Sequence, residues 1–147
     1  MKRIILIVVA SLLAAGISPF AQASTSTSKL IVSANGANER PNSGAKTGSS
    51  TGTFTLDTAK NTICFSSMRT KGLEGVIGAH IHLGASSIEG SIFVSFDIAK
   101  FNHSGQVCSD AKHSVLVDIA AHPADYYFNV HTKDYPRGAV RGQLKKS

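Results

Sequence analysis

Several patterns that mark common enzyme classes are missing from this sequence of 147 residues. We expect no serine to lie in the G-x-S-x-G turn of a hydrolase nucleophile. The aspartates show no paired spacing of the kind that serves glycoside hydrolysis, and no glycine-rich phosphate loop leads into a helix. We therefore expect a protein that is not an enzyme.

A strong excess of charge is also missing. The chain has 15 Lys and Arg against 9 Asp and Glu, a formal charge of +6. Without Lys2 and Arg3 the count is 13 against 9, which leaves +4. No basic helix or basic stripe with interleaved aromatic residues is present, as nucleic-acid-binding proteins have. We expect no nucleic-acid partner.

Long apolar runs are confined to the beginning of the chain. Lys2 and Arg3 precede an apolar run, Ile4–Ile17, and Ala21-Gln22-Ala23 has the small-x-small pattern of a signal-peptidase site. We interpret residues 1–23 as a cleaved secretory signal peptide. The alternative is an uncleaved membrane anchor, but about 14 apolar residues are fewer than the ~20 that span a bilayer.

The mature protein is then periplasmic or secreted, with no membrane span after cleavage. Residues 24–28 are a Ser/Thr run that predicts a short disordered leader. The remaining residues, 29–147, have the size of one domain.

Cysteine is scarce, since only Cys64 and Cys108 are present. An even number of cysteines in an oxidising compartment favours a disulfide. Such a bond closes a loop of roughly 45 residues and contributes about 4 kcal/mol on the chain-entropy estimate. The alternative, two thiolate metal ligands, is not supported by a C-x-x-C spacing.

Alternation of apolar and polar residues is the dominant pattern after residue 29. It predicts seven or eight short strands with turn residues between them. An all-β fold follows, an antiparallel sandwich or barrel. The stretch 97–110 looks irregular and has room for a helical turn. The stretch 115–123 fits helix spacing and strand spacing equally well. The predicted strands are 30–34, 51–56, 62–68, 76–83, 91–96, 126–132 and 139–144.

The segment AHIHLG, residues 79–84, is the main candidate for chemistry. Side chains alternate along a strand, so His80 and His82 project to one face. The strand YYFNVHT places His131 on the same face as Tyr127 and Asn129. Three neutral imidazoles suit copper or zinc. Ring nitrogens within about 4 Å of one another would favour a metal, and separations beyond about 8 Å would favour a structural role.

Other polar residues have less specific interpretations. Arg141 and Gln143 share a polar face on the last strand, where they can hydrogen-bond behind the metal ligands or bind an anion. The remaining histidines lie in irregular or ambiguous segments, and we interpret them as ordinary surface residues. These histidines are His103, His113 and His122.

The order of these motifs resembles the CHRD domain, named for the repeats of chordin and common in bacterial exported proteins. AHIHLG is followed by an apolar strand, then by YYFNVHT, and then by RGQL near the end. Upstream, NGANERP matches the family's G-x-x-E-x-P signature with Glu39 and Pro41. The resemblance covers about 30–144 and implies an immunoglobulin-like β-sandwich or barrel, without a settled biochemical role.

The resemblance also implies which positions belong to the recurring pattern. One departure is Ala139, since the family usually has an acidic residue there. AHIH is similar to the copper-ligand strand of copper/zinc superoxide dismutase, but the connector 84–90 has no histidine, so we expect no dismutase activity. The matched positions are His80, His82, Gly84, Asn129, His131, Pro136, Gly138, Arg141, Gly142 and Gln143.

The sequence thus predicts an exported, non-enzymatic domain that binds copper or zinc through His80, His82 and His131. The alternative is a structural or adhesion module without a metal, in which these histidines hydrogen-bond between strands. In that case the working surface is a protein or glycan interface.

Overall fold

A computed structural model describes residues 27–101 and 105–147 of the chain. The predicted signal peptide, residues 24–26 of the predicted leader, and His103 lie outside the described residues. The first strand begins at Thr27, two residues before the predicted start of the domain. Among the described residues, no helix has the length and apolar character to cross a membrane.

Strands account for most of the regular structure in the described ranges. Short 3-10 turns at Gly36–Asn38 and Pro123–Asp125 interrupt the connections. In chain order the strands and helices are β1 (Thr27–Asn35), β2 (Ser49–Asp57), β3 (Thr62–Lys71), β4 (Val76–Leu83), β5 (Ile92–Ser95), α1 (Ile98–Phe101), β6 (Val107–Asp110), α2 (His113–Ala121), β7 (Tyr126–Thr132), β8 (Val140–Gln143) and β9 (Lys145–Lys146).

The strands form one antiparallel sheet in the order β5-β4-β7-β8-β1-β2-β3-β6, and β9 also pairs with β1. The sheet curls until its two edge strands approach each other. There the Ser109 hydroxyl of β6 donates a hydrogen bond to the Ser95 carbonyl of β5 at 2.6 Å. The result is a nearly closed barrel, which confirms the predicted all-β antiparallel fold.

The barrel interior is filled by the apolar face of each strand. Phe54, Phe65, Phe96 and Phe128 form a cluster of rings whose centroids lie 4.5–6.5 Å apart. The predicted alternation is confirmed on β4, where Ala79 and Ile81 are buried in the core, and on β7, where Tyr126, Phe128 and Val130 are buried. The other face of both strands is therefore turned away from this core.

The ambiguous stretch 115–123 is largely helical, since α2 runs to Ala121 and the turn after it begins at Pro123. Leu116 and Ile119, three residues apart, are buried against the core, whereas Val117 is 46% exposed. A strand would have placed Val117 on the same face as Ile119. Packing onto the end of the barrel therefore decided between two periodicities that the sequence fits equally.

Two local predictions were only partly right. The stretch 97–110 contains the helical turn that the sequence allows, α1, and also the edge strand β6, which was not predicted and pairs with β3. The alternation of 91–96 places Ile92 on the face of Val94 and Phe96, but Ile92 is 52% exposed whereas those two are buried. A register shift between Ile81 and His82 displaces Ile92 from the inward-facing set of β5.

The predicted disulfide joins Cys64 to Cys108, which face each other across β3 and β6. It therefore holds the edge strand β6 at the point where the barrel closes. The cysteines are 44 residues apart in sequence.

Removing the disulfide should cost a large part of the stability. We expect the variant Cys64→Ala/Cys108→Ala to lose about 4 kcal/mol of unfolding free energy, because its unfolded chain is no longer cross-linked. Urea denaturation of both proteins measures this difference. The oxidised protein treated with reductant is the control and should match the double variant, whereas an unchanged midpoint in both would contradict the prediction.

Candidate metal centre

The three predicted histidines lie together on the outer face of β4 and β7. In the antiparallel register, His80 faces Asn129, His82 faces Tyr127, and His131 faces Gly78. On both strands the residues next to these histidines in sequence face the core. Because side chains alternate along a strand, the imidazoles of β4 and β7 project to the same outer side of the sheet.

One ring nitrogen from each of His80, His82 and His131 lies within 4.8 Å of the other two. The ring centroids are 4.9 Å apart for His80 and His131, 5.6 Å for His80 and His82, and 5.9 Å for His82 and His131. Two ligands of one ion with bonds of about 2 Å can be at most about 4 Å apart. The nitrogens would therefore need to approach one another by about 1 Å to share an ion.

Hydrogen bonds fix the orientation of two of the rings. The Nδ1 of His82 lies 2.9 Å from the Gly90 carbonyl, and the Nδ1 of His131 lies 3.2 Å from the Pro136 carbonyl. A carbonyl only accepts, so each Nδ1 carries the proton, which leaves Nε2 with its lone pair in the neutral ring. Such bonds behind metal-ligating histidines fix the tautomer and raise the basicity of the ligand.

The nitrogens left over are buried without a hydrogen-bond partner. They are the Nε2 of His82, the Nε2 of His131, and the Nδ1 of His80. Each ring thus offers one unpartnered nitrogen. A buried polar atom without a partner is unfavourable and requires an explanation.

Burial keeps the cluster neutral. It lowers the pKa of His80 to about 4, with further lowering from the charges that His131 and His82 would carry. The pKa of His82 and that of His131 are also lowered, in both cases mainly by burial. Because metal and proton compete for the same lone pair, rings that resist protonation remain able to bind a metal in mildly acidic solution.

Gly78 makes room for the cluster. A Cβ at this position would lie 2.9 Å from the Cε1 of His80 and 3.5 Å from the Cδ2 of His131. Any side chain at position 78 would therefore displace the imidazoles. In the sequence, this glycine carries no signal of its role, because only the pairing of β4 with β7 brings His131 beside it.

A layer of polar residues surrounds the histidines on the same face. The ring of Tyr127 stacks on His82 with centroids 4.8 Å apart, and the Arg141 guanidinium lies 3.4 Å from the centre of the Tyr127 ring. Since β7 lies between β4 and β8, Tyr127 contacts His82 of β4 on one side and Arg141 of β8 on the other. Asn129, Arg141 and Gln143 donate their hydrogen bonds to Glu39 and to backbone carbonyls rather than to a histidine, so their predicted support of the ligands is indirect.

Arg141 and Gln143 instead hold the connector 84–90 over the polar face. Arg141 donates from Nη1 to the Ile88 carbonyl at 2.8 Å and from Nη2 to the Ala85 carbonyl at 2.6 Å. Gln143 donates to the Gly84 carbonyl at 3.0 Å. The connector in turn accepts the His82 bond at Gly90, so these two residues fix the segment that orients His82.

Glu39 is a buried carboxyl group beneath this layer. The Nδ2 of Asn129 donates a hydrogen bond to the Oε2 of Glu39 at 3.1 Å. Glu39 is only 3% exposed. Gly138 has a φ of +148°, and a Cβ there would overlap the Glu39 carboxylate. In the sequence, Glu39 stood out only through the family signature, because nothing in the local pattern shows that a charged loop residue is buried.

The other histidines lie apart from the cluster. His113 is exposed and bonds through Nδ1 with the Thr58 carbonyl at 3.0 Å. His122 is exposed and pairs with Asp118 at 2.9 Å. Both therefore fit the predicted interpretation as surface residues, while His103 lies outside the described ranges.

The letters of the hydrolase pattern G-x-S-x-G do occur, at Gly48–Gly52. Its central residue is Ser50, which lies inside β2 and is completely buried. A nucleophilic serine in this pattern requires an exposed turn between a strand and a helix. Ser50 therefore has the pattern without the structure that gives it reactivity.

The buried carboxyl of Glu39 predicts a pH-dependent stability. Burial raises the pKa of Glu39 from 4.5 to about 7. A raised pKa in the folded state stabilises the fold fully below pH 4.5, and this contribution is lost as the pH rises through 7. The glutamine side chain in Glu39→Gln resembles the protonated carboxyl, so the variant should keep this contribution to stability at high pH.

We expect wild type and Glu39→Gln to be similarly stable near pH 4.5, and the variant to be more stable by about 3 kcal/mol near pH 8. Urea denaturation at several pH values measures the difference, in which contributions from the unchanged histidines cancel. A constant difference across this range would contradict the raised pKa.

Comparison with known proteins identifies the family. A model of the CHRD domain matches residues 30–144, nearly the whole described part of the chain. No curated protein and no solved structure matches the chain. The matched range contains both histidine strands, the Glu39 segment and the last strand with Arg141. The chain therefore belongs to the CHRD domain family.

Proposed function

We propose that this CHRD protein is exported, has no catalytic activity, and binds one copper or zinc ion through His80, His82 and His131. The observation that carries the proposal is the convergence of the three imidazoles, since one nitrogen of each ring lies within 4.8 Å of the other two. Each of these rings also has a buried nitrogen without a hydrogen-bond partner.

The distribution of unpartnered polar atoms supports a bound ion at this place. Eight buried side-chain nitrogen or oxygen atoms in the described residues have no hydrogen-bond partner, and seven of them belong to the polar face of β4, β7 and β8 with Glu39. The eighth is the Ser50 hydroxyl. Unpartnered buried atoms that collect at one site, rather than scatter, are typical of a site that holds an ion or ligand.

The type of ligand favours copper over the other divalent ions. All three donors are neutral imidazole nitrogens, which suit copper and zinc, whereas calcium and magnesium prefer oxygen. Between the two metals, Cu(II) binds a given set of nitrogen donors more tightly. Three ligands also leave a coordination position open.

The absence of a catalytic role is inferred from the space available. The cavity beside His82, lined also by Glu39, Asn129 and Arg141, has a volume of about 80 Å³. Small-molecule sites usually have volumes of about 300–1,000 Å³. A cavity this small accommodates water or a small ion next to the metal, but not an organic substrate.

Export is supported by the disulfide between Cys64 and Cys108, because such bonds persist in oxidising compartments. The apolar run near the beginning of the sequence and the cleavage pattern at Ala21–Ala23 point to the same compartment. The periplasm and the outside of the cell both satisfy this condition.

The second candidate is a metal-free structural or adhesion module. The hydrogen bonds from His82 to Gly90 and from His131 to Pro136 favour it, because they tie a connector and a turn to the sheet without any ion. The nitrogens of the three rings lie up to 4.8 Å apart, which is slightly more than two ligands of one metal ion allow. This separation also fits the metal-free candidate.

Metal titration distinguishes the two candidates. Untagged protein, freed of metal by a chelator and dialysed, should take up about one equivalent of Cu(II), with Zn(II) as competitor, and bind it more tightly than ~10 µM. His82→Ala should weaken binding by about 100-fold or more, because it removes a ligand. Isothermal titration with metal analysis gives both values.

His122→Ala is the matched control, since it removes an exposed histidine outside the cluster and should bind like wild type. Failure of the wild type to bind more tightly than ~10 µM would overturn the proposal. A loss of thermal stability in metal-free His82→Ala, without any metal binding by the wild type, would establish the structural role instead.

A further inference from the structure

A second cavity lies against the outer face of β8 and β1. The histidines lie on β4 and β7, so in the strand order Arg141 of β8 stands between them and this cavity. Its volume is about 200 Å³. Three cationic side chains line it, Arg40 from the loop after β1, and Arg141 and Lys145 from the last strands of the chain. Among the described residues that line it, none is an aspartate or a glutamate.

The charge of Arg141 is not neutralised by an ion pair. Its side chain is buried, only 2% exposed, and its terminal nitrogens donate to two backbone carbonyls, while its Nε has no partner. Within residues 27–101 and 105–147, no carboxylate lies within salt-bridge distance of it. A buried cation without a bonded carboxylate creates a strong positive potential around it.

Among the carboxylates, Glu39 influences Arg141 more strongly than Glu89 does, but its compensation of the Arg141 charge is incomplete. Because burial raises the pKa of Glu39 to about 7, this carboxyl is only partly ionised at neutral pH. The ring of Tyr127 contributes a further weak attraction through its π face. Much of the positive charge therefore remains available to a ligand in the adjacent cavity.

The rim of the cavity offers donors at the surface. Arg40 and Lys145 are exposed, and neither forms a salt bridge among the described residues. The hydroxyls of Ser33 and Ser86, both exposed, lie on the same lining. Hydroxyl, ammonium and guanidinium groups all donate hydrogen bonds to an oxyanion.

We propose that this cavity, which we call the β8 groove, binds a small oxyanion, either a carboxylate or a phosphate carried on a polar molecule of the size of one sugar. The cationic residues supply the attraction, and the serine hydroxyls supply directed hydrogen bonds. No histidine lines the groove. The proposal is thus independent of the metal centre, and either can fail without the other.

The test uses protein freed of metal and chelator, titrated at constant ionic strength with inorganic phosphate, with glucuronate, and with methyl glucoside as an uncharged control. Amide chemical shifts measured by NMR report the position of binding. Saturable shifts at Gly142, Ser33 and Ser86 with phosphate or glucuronate, and none with methyl glucoside, are the expected result. No saturable shift at these residues up to about 50 mM of either anion would overturn the proposal.

Paired variants separate a site from general charge attraction. Arg40→Gln/Lys145→Gln should weaken anion binding by about 10-fold or more, because it removes two charge-assisted donors. Arg69→Gln/Lys146→Gln is the matched control, since it changes the net charge equally with two exposed residues outside the groove, and it should alter affinity by less than about 2-fold. Equal weakening in both variants would overturn the proposal.

The same titration distinguishes the source of the oxyanion. Tighter binding of a glucuronate oligomer than of the monomer assigns the groove to an acidic polysaccharide. Tighter binding of phosphate than of any glucuronate assigns it to free phosphate or a phosphate ester. Both results support an oxyanion site.

Discussion

The fold depends on a central strand, β7, that is buried on both faces. One face packs into the aromatic core, and the other carries Tyr127, Asn129 and His131 beneath loops. Burying a polar face costs free energy unless its polar groups find partners. The connector 84–90, clamped by Arg141 and Gln143 through backbone carbonyls, supplies many of them and also excludes water from this face.

This arrangement explains why the polar groups are so unevenly satisfied. Backbone carbonyls of the connector and of the turn at Pro136 accept hydrogen bonds from Arg141, Gln143, His82 and His131. Carbonyls only accept, so they partner donors and leave the lone pairs of the imidazoles unused. The layer is therefore rich in acceptors without donors, and this is the electronic character that a metal cation requires.

The two proposed sites share Arg141 without competing for it. On one side its guanidinium stacks on Tyr127, which stacks on His82, and on the other side it lines the β8 groove. A buried guanidinium keeps its charge at all physiological pH values. Its charge favours an anion in the proposed groove and disfavours extra positive charge near His82, whose pKa it helps to lower. The two proposed ions are therefore of opposite sign.

The sequence by itself determined the strands with clear alternation, the disulfide, and the shared face of His80, His82 and His131, because these follow from the period of two and the number of cysteines. It could not decide between helix and strand for 115–123, because the packing of Leu116 and Ile119 against the core decided it. It also could not find β6 within 97–110, because that strand depends on its pairing with β3. The burial of Glu39 and Arg141 and the room provided by Gly78 also depend on tertiary structure. Each results from segments distant in sequence that approach only when the sheet curls, and no local pattern records such an approach.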